Sequence, residues 1–323
     1  MNVANKNMKK VAITLTVIAA VLFALLLVPQ DAFDGAMILR GFAAVDGSVF
    51  AIIAVVYWIK YAVAVKKDKA QQLEHKRAIE QFDEWVKNFD HLTKIAAELV
   101  RVDDSAKRFS KFGGLPTVPY NFVWPTHNGN AMPFLLQIDF SEINAEGRMT
   151  NFPTSGLMYL FVEEVFEPEF DYVPKVLFFD NAVSLSCAAK PYNLQKQFVE
   201  FAVASYIIKT YPNVEDCDEA FEIYCQRPYG GLDDGYDALS EENLECHLVG
   251  GWPSHLQNAG FAKHCKESDG AEWVLLAQIS SEMGDSDDDD IMWGDDGMIY
   301  IYIREKDLLA RRFDNLKLDM QCY

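Results

Sequence analysis

A chain of 323 residues, half of them hydrophobic, has room for a full core and no need of disulfide staples. Its formal charge of -19 is unevenly placed: the first 66 residues hold six Lys/Arg and three Asp, and the rest carry 23 basic and 45 acidic side chains, a net of -22. Such a surface repels phosphate backbones and anionic headgroups, so nucleic acid is excluded as an expected partner.

The N-terminus reads as a membrane anchor over residues 1–66. Val11 to Val28 contains nothing more polar than two threonines, and at 1.5 Å per residue it spans ~27 Å, near the thickness of a bilayer's hydrocarbon layer. A second apolar run extends from Gly47 to Val65, with Lys60 close enough to its end to snorkel. Lys6, Lys9 and Lys10 precede the first span and Lys66, Lys67 and Lys69 follow the second, while the connection holds Asp31, Asp34 and Asp46 against Arg40. The positive-inside rule then places both termini in the cytoplasm, in a multi-pass protein of a bacterial inner membrane. A cleaved signal peptide fits less well: no small-x-small cleavage site follows Pro29, and the second span would keep the same topology. Asp46 and Arg40 are expected in the external loop, not in a transport path.

Residues 67–102 are expected to form an amphipathic connecting helix. Between 69 and 100 there is no Gly or Pro, and Phe82, Phe89 and Ala96 recur every seven residues, as do Trp85, Leu92 and Leu99. The aromatic residues suit a helix packed on the following domain better than a coiled-coil seam.

The remainder, 103–323, repeats itself at about 112–165 and 249–308. Gly113-Gly-Leu-Pro116 returns as Gly250-Gly-Trp-Pro253, Leu136-Gln-Ile138 as Ala277-Gln-Ile279, and Gly156-Leu-Met-Tyr159 as Gly297-Met-Ile-Tyr300. Each unit reads as a Gly/Pro turn, a buried strand, and a second strand opened by glycine. In the second copy, Ile299, Ile301 and Ile303 fall on one strand face and Tyr300 and Tyr302 on the other. Gln137 and Gln278, inside apolar strands, need partners for their amides, and the backbone of the opposite copy is the expected one. Between the copies, Asn193 to Lys209 has helical character, and Arg227 to Asn243 reads as a loop.

Along these residues the chain resembles the YwqG-like family of uncharacterised proteins. The resemblance rests on Lys111-Phe-Gly-Gly-Leu-Pro116, Trp124-Pro125, Phe134-Leu-Leu-Gln-Ile-Asp139, Gly156-Leu-Met-Tyr-Leu-Phe161, Gly250-Gly-Trp-Pro253 with Gln257, Trp293-Gly-Asp-Asp-Gly297 and Asp307-Leu308. It spans roughly residues 75 to 320. It implies an α+β fold with a duplicated, mainly antiparallel β core and surrounding helices, and it implies no activity. The membrane hairpin lies outside the family's usual domain, and Gly250-Gly251-Trp252 departs from the expected Leu-Gly-aromatic pattern.

No G-x-S-x-G elbow and no phosphate loop is present. Asp285, Asp287 and Asp289 have the spacing of a calcium loop with Asp296 at its twelfth position, but the sixth position is Asp290 instead of Gly and the bidentate Glu is missing. Cys246, His247, His255, His264 and Cys265 are zinc-ligand types at spacings no common zinc site uses. Six cysteines without a C-x-x-C pair are expected to be free thiols. No cofactor is expected. Trp293 and Asp295, an aromatic plane beside a carboxylate just before a strand, form the candidate binding site, with Gln137 and Gln278 as further candidates. The alternative for Trp293 is that it caps the core while Asp295 ties the turn. These features point to a membrane-anchored cytoplasmic binding or protein-interaction module, its partner a membrane-associated or cytoplasmic protein. The alternative function is a divalent-metal-dependent hydrolase using residues 285–296.

Overall fold

The computed structural model describes residues 3–25, 36–102, 108–165, 171–181, 183–227, 246–257, 272–282 and 291–322. The chain divides into two compact units, Met1–Asp83 and Glu84–Tyr323.

The first unit is helical. Helix α1 covers Val3–Leu25 and helix α2 Ala36–Val86. Trp58 of α2 donates through Nε1 to the Thr16 hydroxyl of α1 at 3.1 Å. Ala12, Ala19 and Ala54 are buried, whereas Val17, Val21, Ile52, Ile59 and Val63 are exposed. Among the described residues one helix, Asn5–Ala24, is long and apolar enough to cross a membrane. Of the two expected spans, only the first coincides with such a helix. The second run, 47–65, carries Lys60 and continues within α2 into a charged helix.

The helix expected over 67–102 ends at Val86. A 3-10 turn, Lys87–Phe89, follows it, and residues 94–102 form strand β1 (Lys94–Val102). Ala96 and Leu99 are buried, but by a sheet and not by a helical seam. Pairing on both edges overrides helix propensity here, helped by the β-branched Ile95, Val100 and Val102.

The remaining strands are β2 (Lys111–Phe112), β3 (Thr117–Val118), β4 (Thr126–His127), β5 (Asn130–Ala131), β6 (Phe134–Asp139), β7 (Leu157–Val165), β8 (Asp171–Phe179), β9 (Ser186–Cys187), β10 (Phe201–Thr210), β11 (His247–Gly250), β12 (Trp273–Ser280), β13 (Met298–Arg304) and β14 (Leu316–Gln321). Short helices α3 (Phe140–Ile143), α4 (Asp218–Cys225) and α5 (Glu305–Leu309) lie between them. Ten strands form one sheet in the order β14-β13-β12-β11-β1-β10-β2-β6-β7-β8, with every pairing antiparallel. The terminal strands β8 and β14 approach each other, and Phe178 packs on Phe313 with ring centroids 5.3 Å apart. The fold is therefore α+β, with few helices around a nearly closed sheet.

The strand order is balanced about the β1–β10 pair. Strands β11 to β14 extend from β1 as β2, β6, β7 and β8 extend from β10. The helix expected within 193–209 is in its last part strand β10, which pairs with β1 from Lys94↔Thr210 to Val102↔Ala202. The main core joins Leu136, Ile138, Leu160, Val203, Val249 and Ile279 with the predicted face of β13, Ile299, Ile301 and Ile303. Tyr300 and Tyr302 of its other face are also buried, against Trp273 and Leu275.

Candidate functional site

The two glutamines are buried and bind backbone, but each within its own half, which corrects the cross-half expectation. Gln137 accepts from the Thr117 N–H at 2.8 Å and donates to the Phe109 carbonyl at 2.6 Å. Gln278 accepts from the Ser254 N–H at 2.9 Å and donates to the Cys246 carbonyl at 3.1 Å. Both brace the residue that follows a Gly-Gly-x-Pro turn. A register in which each turn folds back beside its own strand puts that backbone nearer than the opposite half's.

Trp293 is buried, with Tyr172 and Phe198 at centroid distances of 5.3 and 6.0 Å. Its backbone N–H donates to the Ser281 hydroxyl at 3.0 Å and its carbonyl accepts from Gly297 at 2.8 Å. Asp295 is exposed in the 294–296 turn. The indole thus caps the core and borders a small cleft of about 160 Å³ with Glu163, Glu164, Tyr172 and Lys196. Asp285, Asp287, Asp289, His264 and Cys265 lie outside the described residues, and Asp296 is exposed at φ +52°. Among the described residues no three His, Cys, Asp or Glu side chains gather as a metal site. His247 instead meets Glu282 at 3.0 Å and His255 meets Asp216 at 3.2 Å. Cys187, Cys217, Cys225 and Cys322 are free thiols, and the Cys246 thiol donates to the Glu98 carboxylate at 3.5 Å.

A roomier cleft of the second unit lies elsewhere, at the start of β1. It encloses about 400 Å³ and is lined by Lys94, Asp216, Trp252, Glu272, Trp273 and Tyr302 among others. A second cleft of about 260 Å³ shares Lys94, Gly251, Val274 and Leu275 with it and adds Arg148 and Glu305. Pairing of Ala96 with Gly250 brings the Gly250-Gly251 turn against β1. Both glycines lie in the left-handed region, at φ +73° and +84°, and a Cβ on Gly251 would stand 2.7 Å from that of Ala96. Trp252 follows this close approach directly and lies against Lys94. The Trp252 N–H donates to the Thr210 hydroxyl at 2.8 Å and its indole to the Leu92 carbonyl at 2.7 Å.

Lys94 Nζ sits 3.5 Å from the centroid of the Trp252 ring and makes no ion pair among the described residues. Burial pushes its amine below the ordinary lysine value, outweighing the pull of Asp216, Glu272 and Glu305. A desolvated lysine between aromatic walls, with carboxylates nearby, can anchor a ligand or act as a nucleophile. Reading 67–102 as one helix hid this residue. The available signal was a charged residue entering the apolar Ile95-Ala96-Ala97, together with the unusual Trp252 in the second turn.

The fold and cleft define an α+β domain built on a nearly closed antiparallel sheet. Residues 110–322 match the family described as Domain of unknown function (DUF1963), and the chain belongs to that family. No curated protein matches the chain.

Proposed function

We propose that the chain is a membrane-tethered, cytoplasmic binding module whose ligand site is the Lys94 cleft. The observation that carries this reading is Lys94 itself, a half-buried amine with a π contact and no ion pair among the described residues, opening on a cleft of about 400 Å³. Mixed aromatic and charged walls are what small-ligand sites use to combine affinity with orientation.

Exposed apolar side chains along α1, with Lys6, Lys9 and Lys10 near its start, support a membrane anchor with a cytoplasmic N-terminus. Matched bonds of Gln137 with Gln278 support the reading of the sheet as two copies of one unit.

The test is a fluorescence titration of the full-length protein in detergent, since Trp252 and Trp273 line the cleft. Small amines, carboxylates and carbonyl compounds are screened, and hits are repeated on Lys94→Ala and on Asp295→Ala. A hit weakened by Lys94→Ala and kept by Asp295→Ala supports the cleft. A hit lost only in Asp295→Ala places binding at the 294–296 turn and sinks the proposal.

A further inference from the structure

We propose that Lys94 is a reactive amine that takes a carbonyl compound as an imine in this cleft; the inference rests on the cleft being the ligand site.

The fold itself has no need of a lysine here. A Cβ on Gly114 would meet Glu200, as one on Gly251 would meet Ala96, so Glu200 and Ala96 occupy matching places beside the two Gly-Gly turns. Two residues before Ala96 stands Lys94; two residues before Glu200 stands Phe198, which is buried in the core. Each borders a cleft, and the flanking residues also match: Glu305 and Val274 beside Lys94, Glu164 and Pro133 beside Phe198. Where one half fills the place with an aromatic ring, the other holds an amine at the mouth of a 400 Å³ space.

The chemistry needs a neutral amine, room for a carbonyl carbon, and a group to move protons. Burial favours the neutral form of Lys94 over that of a surface lysine. Trp252, Trp273 and Tyr302 give walls on which an apolar or aromatic carbonyl compound can rest. Glu272, exposed at the cleft, can accept the ammonium proton and return it. The Nζ lone pair attacks the carbonyl carbon and the π pair moves to oxygen. A proton passes from nitrogen to that oxygen, giving a carbinolamine, which loses water as the C=N bond forms. Amine and carbonyl become imine and water, with no oxidant or reductant.

The experiment treats the full-length protein in detergent with benzaldehyde and cyanoborohydride, whose hydride reduces the C=N bond to a stable secondary amine. Peptide mass mapping then gives the labelling rate of each lysine from pH 6 to 10. Lys94 is expected to label faster than every surface lysine at neutral pH, since a lowered pKa raises the fraction of neutral amine. Its rate should also level off at lower pH than theirs. Lys94→Arg should remove this one fast site and leave the others. Uniform labelling with no fast site overturns the proposal, and because it is read on the wild type it does not depend on the variant folding. Quenching of the cleft tryptophans by benzaldehyde without a reducible adduct overturns the imine while leaving the binding reading in place. Loss of both quenching and adduct overturns the two together.

Discussion

Gln137 and Gln278 stand 141 residues apart in the chain and make the same pair of bonds, each accepting from the N–H of the residue after a Gly-Gly-x-Pro turn and donating to a carbonyl eight residues earlier. Tyr159 and Tyr300, also 141 apart, donate their hydroxyls to the carbonyls of those same residues, Thr117 and Ser254, each at 2.7 Å. Every turn is thus held by an amide on one side and a phenol on the other.

Replacing either glutamine by leucine keeps the volume and strands an N–H and a carbonyl that are partly or fully buried. Each variant should lose about 2–4 kcal/mol, seen as a lower denaturant midpoint with an unchanged slope. A loss below about 0.5 kcal/mol would mean that water or a shifted backbone replaces the clamp.

The two tyrosines should differ. Tyr159→Phe gives up the bond to Thr117, whereas Tyr300 also accepts from the Leu256 N–H at 3.3 Å, so Tyr300→Phe leaves two groups unmet. About 1 kcal/mol for the first and about 2 kcal/mol for the second are expected from thermal unfolding. Equal losses would count against the Leu256 bond.

Glycines that share a positive φ should separate by the space around them. At Gly113, φ +56°, a Cβ would stand 2.0 Å from the Val199 carbonyl oxygen; at Gly129, φ +84°, it would meet nothing within 4 Å. Gly129→Ala should cost about 1 kcal/mol from backbone strain alone, and Gly113→Ala more than about 2 kcal/mol. Denaturant titration of the two variants side by side settles the comparison.

Legibility in the sequence followed the range of the interactions. The turn and strand motifs were readable because Gly-Gly-x-Pro, the buried Gln and the Ile/Tyr alternation of β13 are local signals. Strands β1 and β10 were not: both read as helical, and they become strands by pairing with each other and with β11 and β2 across long stretches of chain. That error concealed the cleft, since Lys94 opens β1. The burial of Trp293 against Tyr172 and Phe198 was likewise out of reach, because it depends on residues far away in the chain.

Asp307 gives the acid limb a specific handle. Burial pushes its carboxyl up, but bonds from Arg304 at 2.6 Å and Arg312 at 2.7 Å outweigh this and hold it below the usual carboxylate range. A group whose folded value is depressed contributes stability above its unfolded value and loses it as pH falls through the folded one. Stability measured from pH 6 down to pH 2 should therefore fall less steeply in Asp307→Asn than in the wild type. Parallel curves would remove Asp307 from the acid response.

Lys94 should act in the opposite sense. Its folded value lies below its ordinary 10.5, so between the two the unfolded chain binds more protons and stability rises with pH. Below the folded value the cost of burying the ammonium is present in full. Lys94→Met removes that cost while keeping a flexible side chain against Trp252. The variant should melt at a higher temperature than the wild type at neutral pH, and the difference should shrink as pH is raised toward 10.5. A gain in stability together with the loss of cleft binding is the signature of a residue retained for function at the expense of the fold. If Lys94→Met melts lower at every pH, the lysine is a structural contact of Trp252, and the cleft loses its strongest claim to be the site.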